Sequence, residues 1–132
     1  MSDFKKLHVW RKAHALALNA HRLAGQIRGT ANSSLRSQIV RAAMSIPANI
    51  VEGRGQKSEL EFARFLKIAL NSSAELEYHL IVAKDISAIE KKSFLSLLEQ
   101  VLEVRMMLHG LLRRLPTASS PSRRKDRLDV RS

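Results

Sequence analysis

Residues 39 to 55, Ile39-Val-Arg-Ala-Ala-Met-Ser-Ile-Pro-Ala-Asn-Ile-Val-Glu-Gly-Arg-Gly55, place a proline inside a segment with helical periodicity. Their apolar residues recur at the spacing of one helix face and are Ile39, Ala42, Ala43, Ile46 and Ile50. A proline in a helix interior costs about 3 kcal/mol, because Pro47 lacks an N–H and its ring crowds the carbonyl of Ala43. We therefore predict a kinked helix whose C-terminal stop is supplied by Gly53 and Gly55.

The sequence leaves two interpretations of this proline open. In the first, the kink is structural, and the side chain of Ser45 or Asn49, or a water, satisfies the freed carbonyl. In the second, the kink forms part of a binding surface. Arg41 and Glu52 lie on the same polar face as Ser45 and Asn49. We expect all four to be structural residues around Pro47, within reach of one another, rather than contact residues.

The composition predicts one all-helical domain. A chain of 132 residues is long enough to bury about two thirds of its unfolded surface without disulfides or metals. It has no cysteine, which excludes a disulfide framework, a thiol nucleophile and a thiolate zinc site. Aromatic residues make up only 5%, which favours helices over strands. Because no apolar run approaches the roughly 18 residues of a membrane span, and the first residues lack a signal core, we predict a cytoplasmic protein.

Apolar spacing predicts three more helices, over residues 7–28, 58–85 and 89–115. With the kinked helix they form an antiparallel up-and-down four-helix bundle over residues 1–116. Ser33 or Ser34 is expected to cap the second helix. Ser58 precedes Glu61 by three residues, as in a capping box at the start of the third helix, and Ser87 with Glu90 repeats this pattern before the fourth.

The last two helices carry more apolar surface than one bundle needs. The fourth has an unbroken heptad pattern of Phe94, Leu97, Val101, Val104, Leu108, Leu111 and Leu115. Beside it runs a second set, Leu95, Leu98, Leu102, Met106 and Leu112. In the third helix, Phe65, Ile68 and Ser72 likewise begin a second stripe. We expect another subunit to cover part of this surface; the alternative is a broad face directed at the core.

The net charge of +11 is unevenly distributed. Residues 1–57 hold 10 Lys or Arg against 2 acids, residues 58–116 hold 8 against 8, and residues 117–132 hold 5 against 2. A localised basic field indicates a polyanionic partner, usually nucleic acid, unless it serves solubility alone. Residues 117–132, rich in Ser, Pro and Arg, are predicted to be a disordered basic tail. Its cluster of Arg123, Arg124, Lys125 and Arg127 either grips phosphates or only solubilises the chain.

The motifs that would indicate catalysis are missing from the sequence. No Glu-x-x-His pair occurs, so a di-iron bundle site is not expected. Helical ribonucleases place Arg and His four to six residues apart within a helix, whereas Arg105 and His109 enclose only three residues. Gly53-Arg54-Gly55 lacks the strand that precedes a phosphate-binding loop. We predict no enzymatic activity, no cofactor and no metal.

Three segments carry a family resemblance. They are Leu7-x-Val9-Trp10-x-x-Ala13, Gln38-Ile39-x-Arg41-Ala42-Ala43-x-Ser45-Ile46-Pro47-Ala48-Asn49-Ile50-x-Glu52-Gly53 and Phe62-x-x-Phe65-Leu66-x-Ile68-Ala69-x-x-Ser72-x-x-Glu75-Leu76-Glu77. The pattern resembles the bacterial four-helix bundle proteins first noticed as products of intervening sequences in 23S ribosomal RNA genes. It is also similar to the accessory variability determinant proteins of diversity-generating retroelements, which are basic partners of a reverse transcriptase and its nucleic acid. The resemblance spans roughly residues 4–115.

This resemblance implies a non-enzymatic bundle that assembles into a homopentameric, barrel-like ring. The chain departs from the family pattern at three positions. Val40 replaces one of two arginines before Ala42, Gln56 stands where an arginine often follows the second glycine, and Asn71 replaces a glycine. Two basic positions of the pattern are therefore lost, while the overall charge is retained.

Together these observations predict a homo-oligomeric bundle that binds RNA or an RNA/DNA hybrid as a chaperone or assembly factor. The expected phosphate-facing surface comprises Arg11, Lys12, Arg22, Arg54 and Lys57, with the tail as an auxiliary grip. The alternative is a protein-interaction scaffold, such as an accessory subunit of a retroelement reverse transcriptase. In that case the basic face would contact an acidic protein surface.

Overall fold

The computed structural model describes residues 3–115 and consists of four long helices joined by short turns. The helices are α1 (His8–Gln26), α2 (Ser33–Arg54), α3 (Glu59–Asp85) and α4 (Lys91–Arg114). Single 3-10 turns at Phe4–Lys6 and Thr30–Asn32 precede α1 and α2. Residues 3–115 contain no strand, so the prediction of an all-α four-helix fold is confirmed. The predicted basic tail lies outside the described residues.

The helices pack in cyclic order, because each contacts the next along the chain and α1 also contacts α4. The groove between α1 and α2 therefore lies on the opposite side of the bundle from the groove between α3 and α4. All five residues of the stripe predicted for α2 are buried in the shared core. We call the end that contains the α2–α3 turn the basal end. None of the described helices is long and apolar enough to cross a membrane.

One of the predicted caps forms, and only in part. The Ser58 hydroxyl accepts a hydrogen bond from the Glu61 backbone N–H at 3.1 Å, as expected at the start of α3. The Glu61 carboxylate accepts from Arg64 Nε at 3.1 Å instead of reaching back to the cap. The prediction that Ser33 or Ser34 caps α2 is wrong. That helix already includes Ser33, because the preceding 3-10 turn leads directly into it.

Ser87 ends α3 rather than starting α4, which corrects the second capping box. It has a left-handed φ of 63°. Its backbone N–H donates to the Lys84 carbonyl at 3.0 Å, and the Ala88 N–H donates to the Ala83 carbonyl at 2.8 Å. These two bonds define a Schellman motif, which satisfies the last carbonyls of a helix. The N-cap of α4 is therefore Glu90, without a side-chain capping bond.

The role predicted for Gly53 is also wrong. It lies inside α2 and is buried, whereas Gly55 is the C-cap of α2, as predicted, with an ordinary φ of −83°. A Cβ on Gly53 would lie 2.8 Å from Phe65 Cβ and 2.9 Å from Phe62 Cδ1 of α3. Gly53 therefore lets the two helix backbones approach, and of the two glycines predicted to stop α2 only Gly55 does so.

The surplus apolar surface differs between the last two helices. On α3, Phe65 and Ser72 of the second stripe contact α2, so the alternative of a broad core-facing helix holds there. On α4, Leu95, Leu102 and Met106 remain 49%, 46% and 66% exposed. Their coverage by another subunit stays a prediction.

Candidate nucleic-acid interface

A polar cleft of about 450 Å³ opens between α1 and α4, near the end opposite the basal end. It is lined by the cationic side chains of Arg22 and Lys92, by the apolar side chains of Leu23 and Leu97, and by amide and hydroxyl groups. These polar residues are Asn19, Gln26, Ser93, Ser96 and Gln100. No carboxylate lines the cleft, although Glu90 borders a smaller neighbouring cavity. The cleft therefore combines positive charge with hydrogen-bonding groups, which suits a phosphate ester.

A chain of hydrogen bonds orients the arginine of this cleft. Arg22 Nη1 donates to Asn19 Oδ1 at 2.8 Å, and Asn19 Nδ2 donates to Gln100 Oε1 at 2.9 Å. The second bond links α1 to α4. Because a guanidinium has five N–H donors and this chain uses one of them, the others remain for a ligand. The two helices thus form the cleft and hold its arginine in place.

Two other predicted cations on α1 lie outside the cleft. Arg11 precedes Arg22 by eleven residues, which is about 16 Å along a helix. Its Nε donates to the Lys5 carbonyl at 3.0 Å. Lys12 pairs with Glu103 of α4 at 3.3 Å, with both side chains more than 40% exposed. A nearby carboxylate therefore balances the charge of Lys12.

Arg54 and Lys57 lie at the basal end, in a smaller cavity of about 160 Å³. The guanidinium carbon of Arg54 lies 5.9 Å from the ring centroid of Phe62. Arg54 Nε is buried and has no hydrogen-bond partner among the described residues. Glu59 lines the same cavity and lowers its positive potential. The predicted phosphate-facing residues are therefore dispersed: Arg22 lines the cleft, Arg54 and Lys57 line the basal cavity, and Arg11 and Lys12 line neither. Those of the tail lie outside the described residues.

The predicted kink residues form a smaller cluster than expected. Asn49 Nδ2 donates to the Ser45 carbonyl at 2.7 Å and to Ser45 Oγ at 3.0 Å. Ser45 Oγ shares a further bond of 2.7 Å with Ser72 Oγ of α3. The satisfied carbonyl is thus that of Ser45, not the Ala43 carbonyl that Pro47 frees. The network ties α2 to α3 beside the proline.

Arg41 and Glu52 do not join this cluster, which corrects the expectation that they lie within reach of each other. Both are exposed, and eleven residues of helix separate them by about 16 Å. They share a helix face but lie three turns apart. Two residues on the same face of a helix are therefore not in contact when several turns separate them.

Arg105 and His109, the pair considered for nuclease chemistry, do not face a common site. Arg105 is held against α3, where its Nη2 donates to Glu77 Oε1 at 2.8 Å and its Nε donates to Ser73 Oγ at 3.3 Å. His109 is exposed on the surface of α4. Residues 3–115 also contain no group of three His, Asp or Glu side chains that could hold a metal ion.

The sequence predicted Arg22 but missed Lys92 and its amide neighbours. Residues 58–116 are neutral as a whole, and this average concealed the Lys91-Lys92 pair at the start of α4. This pair of lysines was the sequence signal that could have indicated a basic site on α4. That Lys92 lines the same cleft as Arg22 depends on the alignment of α4 with α1, which periodicity within one helix does not reveal.

Comparisons with known proteins agree with this architecture. No curated protein matches the chain. A solved structure from Bacteroides thetaiotaomicron, described as a protein with unknown function from the S23 ribosomal protein family, is similar with a TM-score of 0.74 and 26% identity. The similarity covers 79% of this chain and 97% of that one. A family model described as 23S rRNA-intervening sequence protein matches residues 5–110. The family prediction is therefore confirmed, and the chain belongs to the 23S rRNA-intervening sequence protein family.

Proposed function

We propose that this protein is a non-enzymatic, homo-oligomeric bundle that binds RNA or an RNA/DNA hybrid and acts as a chaperone or assembly factor. The observation that carries the proposal is the α1–α4 cleft, which Arg22 and Lys92 both line and which no carboxylate lines. The family's name, which refers to ribosomal RNA, supports RNA as the ligand. The resemblance to retroelement accessory proteins extends the proposal to an RNA/DNA hybrid.

In this proposal the cleft recognises the backbone of the nucleic acid. Arg22 and Lys92 contact phosphates, which position a nucleic acid without reading its sequence. The amide of Gln26 and the hydroxyls of Ser93 and Ser96 exchange hydrogen bonds with the 2′-hydroxyl of ribose, a group that distinguishes RNA from DNA. Stacking of bases contributes little, because aromatic residues make up only 5% of the chain. Binding is therefore weakly selective for sequence.

A salt titration tests whether phosphate contacts dominate. Fluorescence anisotropy with a labelled structured RNA measures the binding constant between low and high salt. We expect its logarithm to fall linearly with the logarithm of salt concentration, by about 0.7 to 0.9 per phosphate contact. Affinity that stays constant across this range, or that is undetectable at low salt, contradicts the proposal.

A pair of double variants tests the cleft itself. Arg22→Ala with Lys92→Ala removes two cations from the cleft, and Arg64→Ala with Lys67→Ala removes two exposed cations of α3. Both proteins lose the same charge, so the general field weakens equally. We expect the first pair to lower the salt slope by about 1.4 to 1.8 and the control to change it little. Equal losses would show that a diffuse field, and not the cleft, binds the RNA.

Two further measurements separate the alternatives. A pull-down after nuclease treatment that retains one protein, such as a reverse transcriptase, would favour the scaffold over the nucleic-acid binder. Incubation of the purified protein with RNA tests the absence of catalysis, and we expect no cleavage. Hydrolysis lost in His109→Ala would establish a nuclease; the contacts of Arg105 with α3 instead support a structural role for that arginine.

A further inference from the structure

An apolar groove of about 450 Å³ follows the outer side of the bundle between α1 and α2. It extends from Trp10 to His21 along α1 and from Met44 to Val51 along α2. Ala17 and Pro47, both buried, line it together with Leu18 and Met44, which are 44% and 54% exposed. Such a concave surface, lined mainly by apolar side chains, is available to bind another apolar surface.

An apolar ridge runs along α4 on the other side of the molecule. It consists of Leu95, Leu102 and Met106, all at least 46% exposed, with Leu98 half-buried beside them. Leu98 and Leu102 precede Arg105 by seven and three residues, so they lie on the same side of α4. Because Arg105 contacts Glu77 of α3, the ridge belongs to the α3–α4 face.

The ridge and the groove cannot cover each other within one chain. The helices pack in the order α1, α2, α3, α4, which places the two faces on opposite sides of the bundle. The two surfaces nevertheless match in length. From Trp10 to His21, and from Leu95 to Met106, the helix advances by eleven residues, about 16 Å in each case.

The charges beside the two surfaces are also complementary. Glu99 is exposed on α4, one turn from both Leu95 and Leu102 of the ridge. The groove continues between α1 and α2 into a second cavity lined by Arg36 and Arg41. The cavity and the groove share His21. Arg36 donates to the carbonyls of Ile27 and Gly29, whereas Arg41 is exposed. The ridge therefore carries an acidic side chain, and the continuation of the groove carries an exposed basic one.

We propose that the α4 ridge of one copy seats in the α1–α2 groove of a second copy. This inference rests on the homo-oligomer of the proposed function and names its interface. The contact is heterologous, because two different surfaces meet, so repetition closes a ring or extends a filament. This contact leaves the α1–α4 face of each copy uncovered. The clefts that contain Arg22 and Lys92 therefore lie on the same face of the assembly.

Charge substitutions on exposed positions test this contact. Met44→Glu changes the groove and Leu102→Glu changes the ridge, and both side chains are exposed, so the fold is expected to persist. Leu60→Glu is the matched control, because Leu60 is 50% exposed at the start of α3, outside both surfaces. By light scattering coupled to size exclusion, we expect each interface variant to be monomeric and the control to keep the wild-type mass. Circular dichroism checks that all three variants remain folded.

Mixing the two interface variants distinguishes this geometry from a symmetric one. The groove of Leu102→Glu and the ridge of Met44→Glu are both intact, so an equimolar mixture forms one wild-type contact and stops at a dimer. Assembly of either variant to wild-type mass, or a mixture that stays monomeric, overturns the inference. If the wild type itself is monomeric, the oligomer of the proposed function fails as well. RNA binding by the cleft is scored separately on a short oligonucleotide.

Discussion

At Gly53 a single hydrogen atom in place of a side chain sets how closely α2 and α3 pack. Gly53→Ala gains about 1 kcal/mol of intrinsic helix propensity, yet its Cβ would lie 2.8 Å from Phe65 Cβ. Because Phe65 Cβ is fixed to the α3 backbone, relief requires the helices to separate, at a cost of about 1 to 3 kcal/mol. We expect a lower melting temperature. Gly25→Ala, with no atom within 4 Å of the new Cβ, should stabilise α1 or be neutral, and equal effects of the two would contradict this explanation.

At Ser87 we expect a substitution to stabilise the protein, in contrast to Gly53→Ala. Its left-handed φ of 63° costs a non-glycine residue about 1 to 2 kcal/mol. Ser87→Gly should remove that cost and raise the free energy of unfolding by roughly 0.5 to 1 kcal/mol, after the greater flexibility of glycine in the unfolded chain is subtracted. Ser96→Gly, an exposed position inside α4, should lower it. Chemical denaturation measures the free energy of unfolding of both variants. If Ser87→Gly is destabilised as much as Ser96→Gly, the left-handed conformation of Ser87 does not cost the predicted energy.

Residue-scale predictions from the sequence failed where two patterns competed for the same residue. Ser87 precedes Glu90 by three residues and so fits a capping box, but the chain also needs a residue to end α3. Gly53 fits a helix stop by its type, whereas its role depends on Phe65, a residue of another helix. Ser58 was predicted correctly, because its capping bond is local in sequence.

Within α2, Pro47 removes one helical hydrogen bond, and the neighbouring side chains tie the helix to α3. Asn49 and Ser45 bond to each other, and Ser45 bonds to Ser72 across the helix interface. Pro47→Ala restores the N–H that can donate to the Ala43 carbonyl. We expect the bundle to stay folded and to melt at a higher temperature, with a gain below about 3 kcal/mol because buried ring contacts are lost.

Pro47 also lines the α1–α2 groove, so the effect of its replacement can be measured in a second way. A change in assembly mass with an unchanged or higher melting temperature would assign the proline to the interface. An unchanged melting temperature together with unchanged assembly and RNA binding would make it incidental. Thermal denaturation and light scattering on the same sample separate these results.

The helices themselves were predictable from the spacing of apolar residues, and the pairing of helices was less so. Periodicity locates a buried face, as it did for α2, whose predicted stripe is fully buried. It does not fix how far one helix is displaced along another. The bond between Asn19 and Gln100, and the proximity of Arg22 to Lys92, depend on that displacement. For this reason the charge of the site was predicted, whereas half of its cations were not.

At the scale of the whole molecule, the features divide between the faces of the bundle. Two opposite faces carry the apolar groove and the apolar ridge, and the α1–α4 face between them carries the polar cleft. An assembly built through the first two faces repeats the third without covering it. Each cleft is small, so under the proposed function we expect strong binding to require several clefts that engage one nucleic acid.

This arrangement predicts that affinity depends on RNA length in the wild type and much less in the interface variant Leu102→Glu. A short RNA occupies one cleft, so both proteins should bind it equally. A long RNA reaches several clefts of the assembly, and linked sites can raise the apparent affinity by about 100-fold or more. Because Leu102 lies on the α3–α4 face and Gln100 of the cleft contacts α1, the substitution leaves the cleft unchanged. Anisotropy titrations with RNAs of increasing length measure the difference.

If affinity rises with RNA length equally in the two proteins, assembly contributes nothing to binding. A loss of short-RNA binding in the variant would place Leu102 in the nucleic-acid site itself.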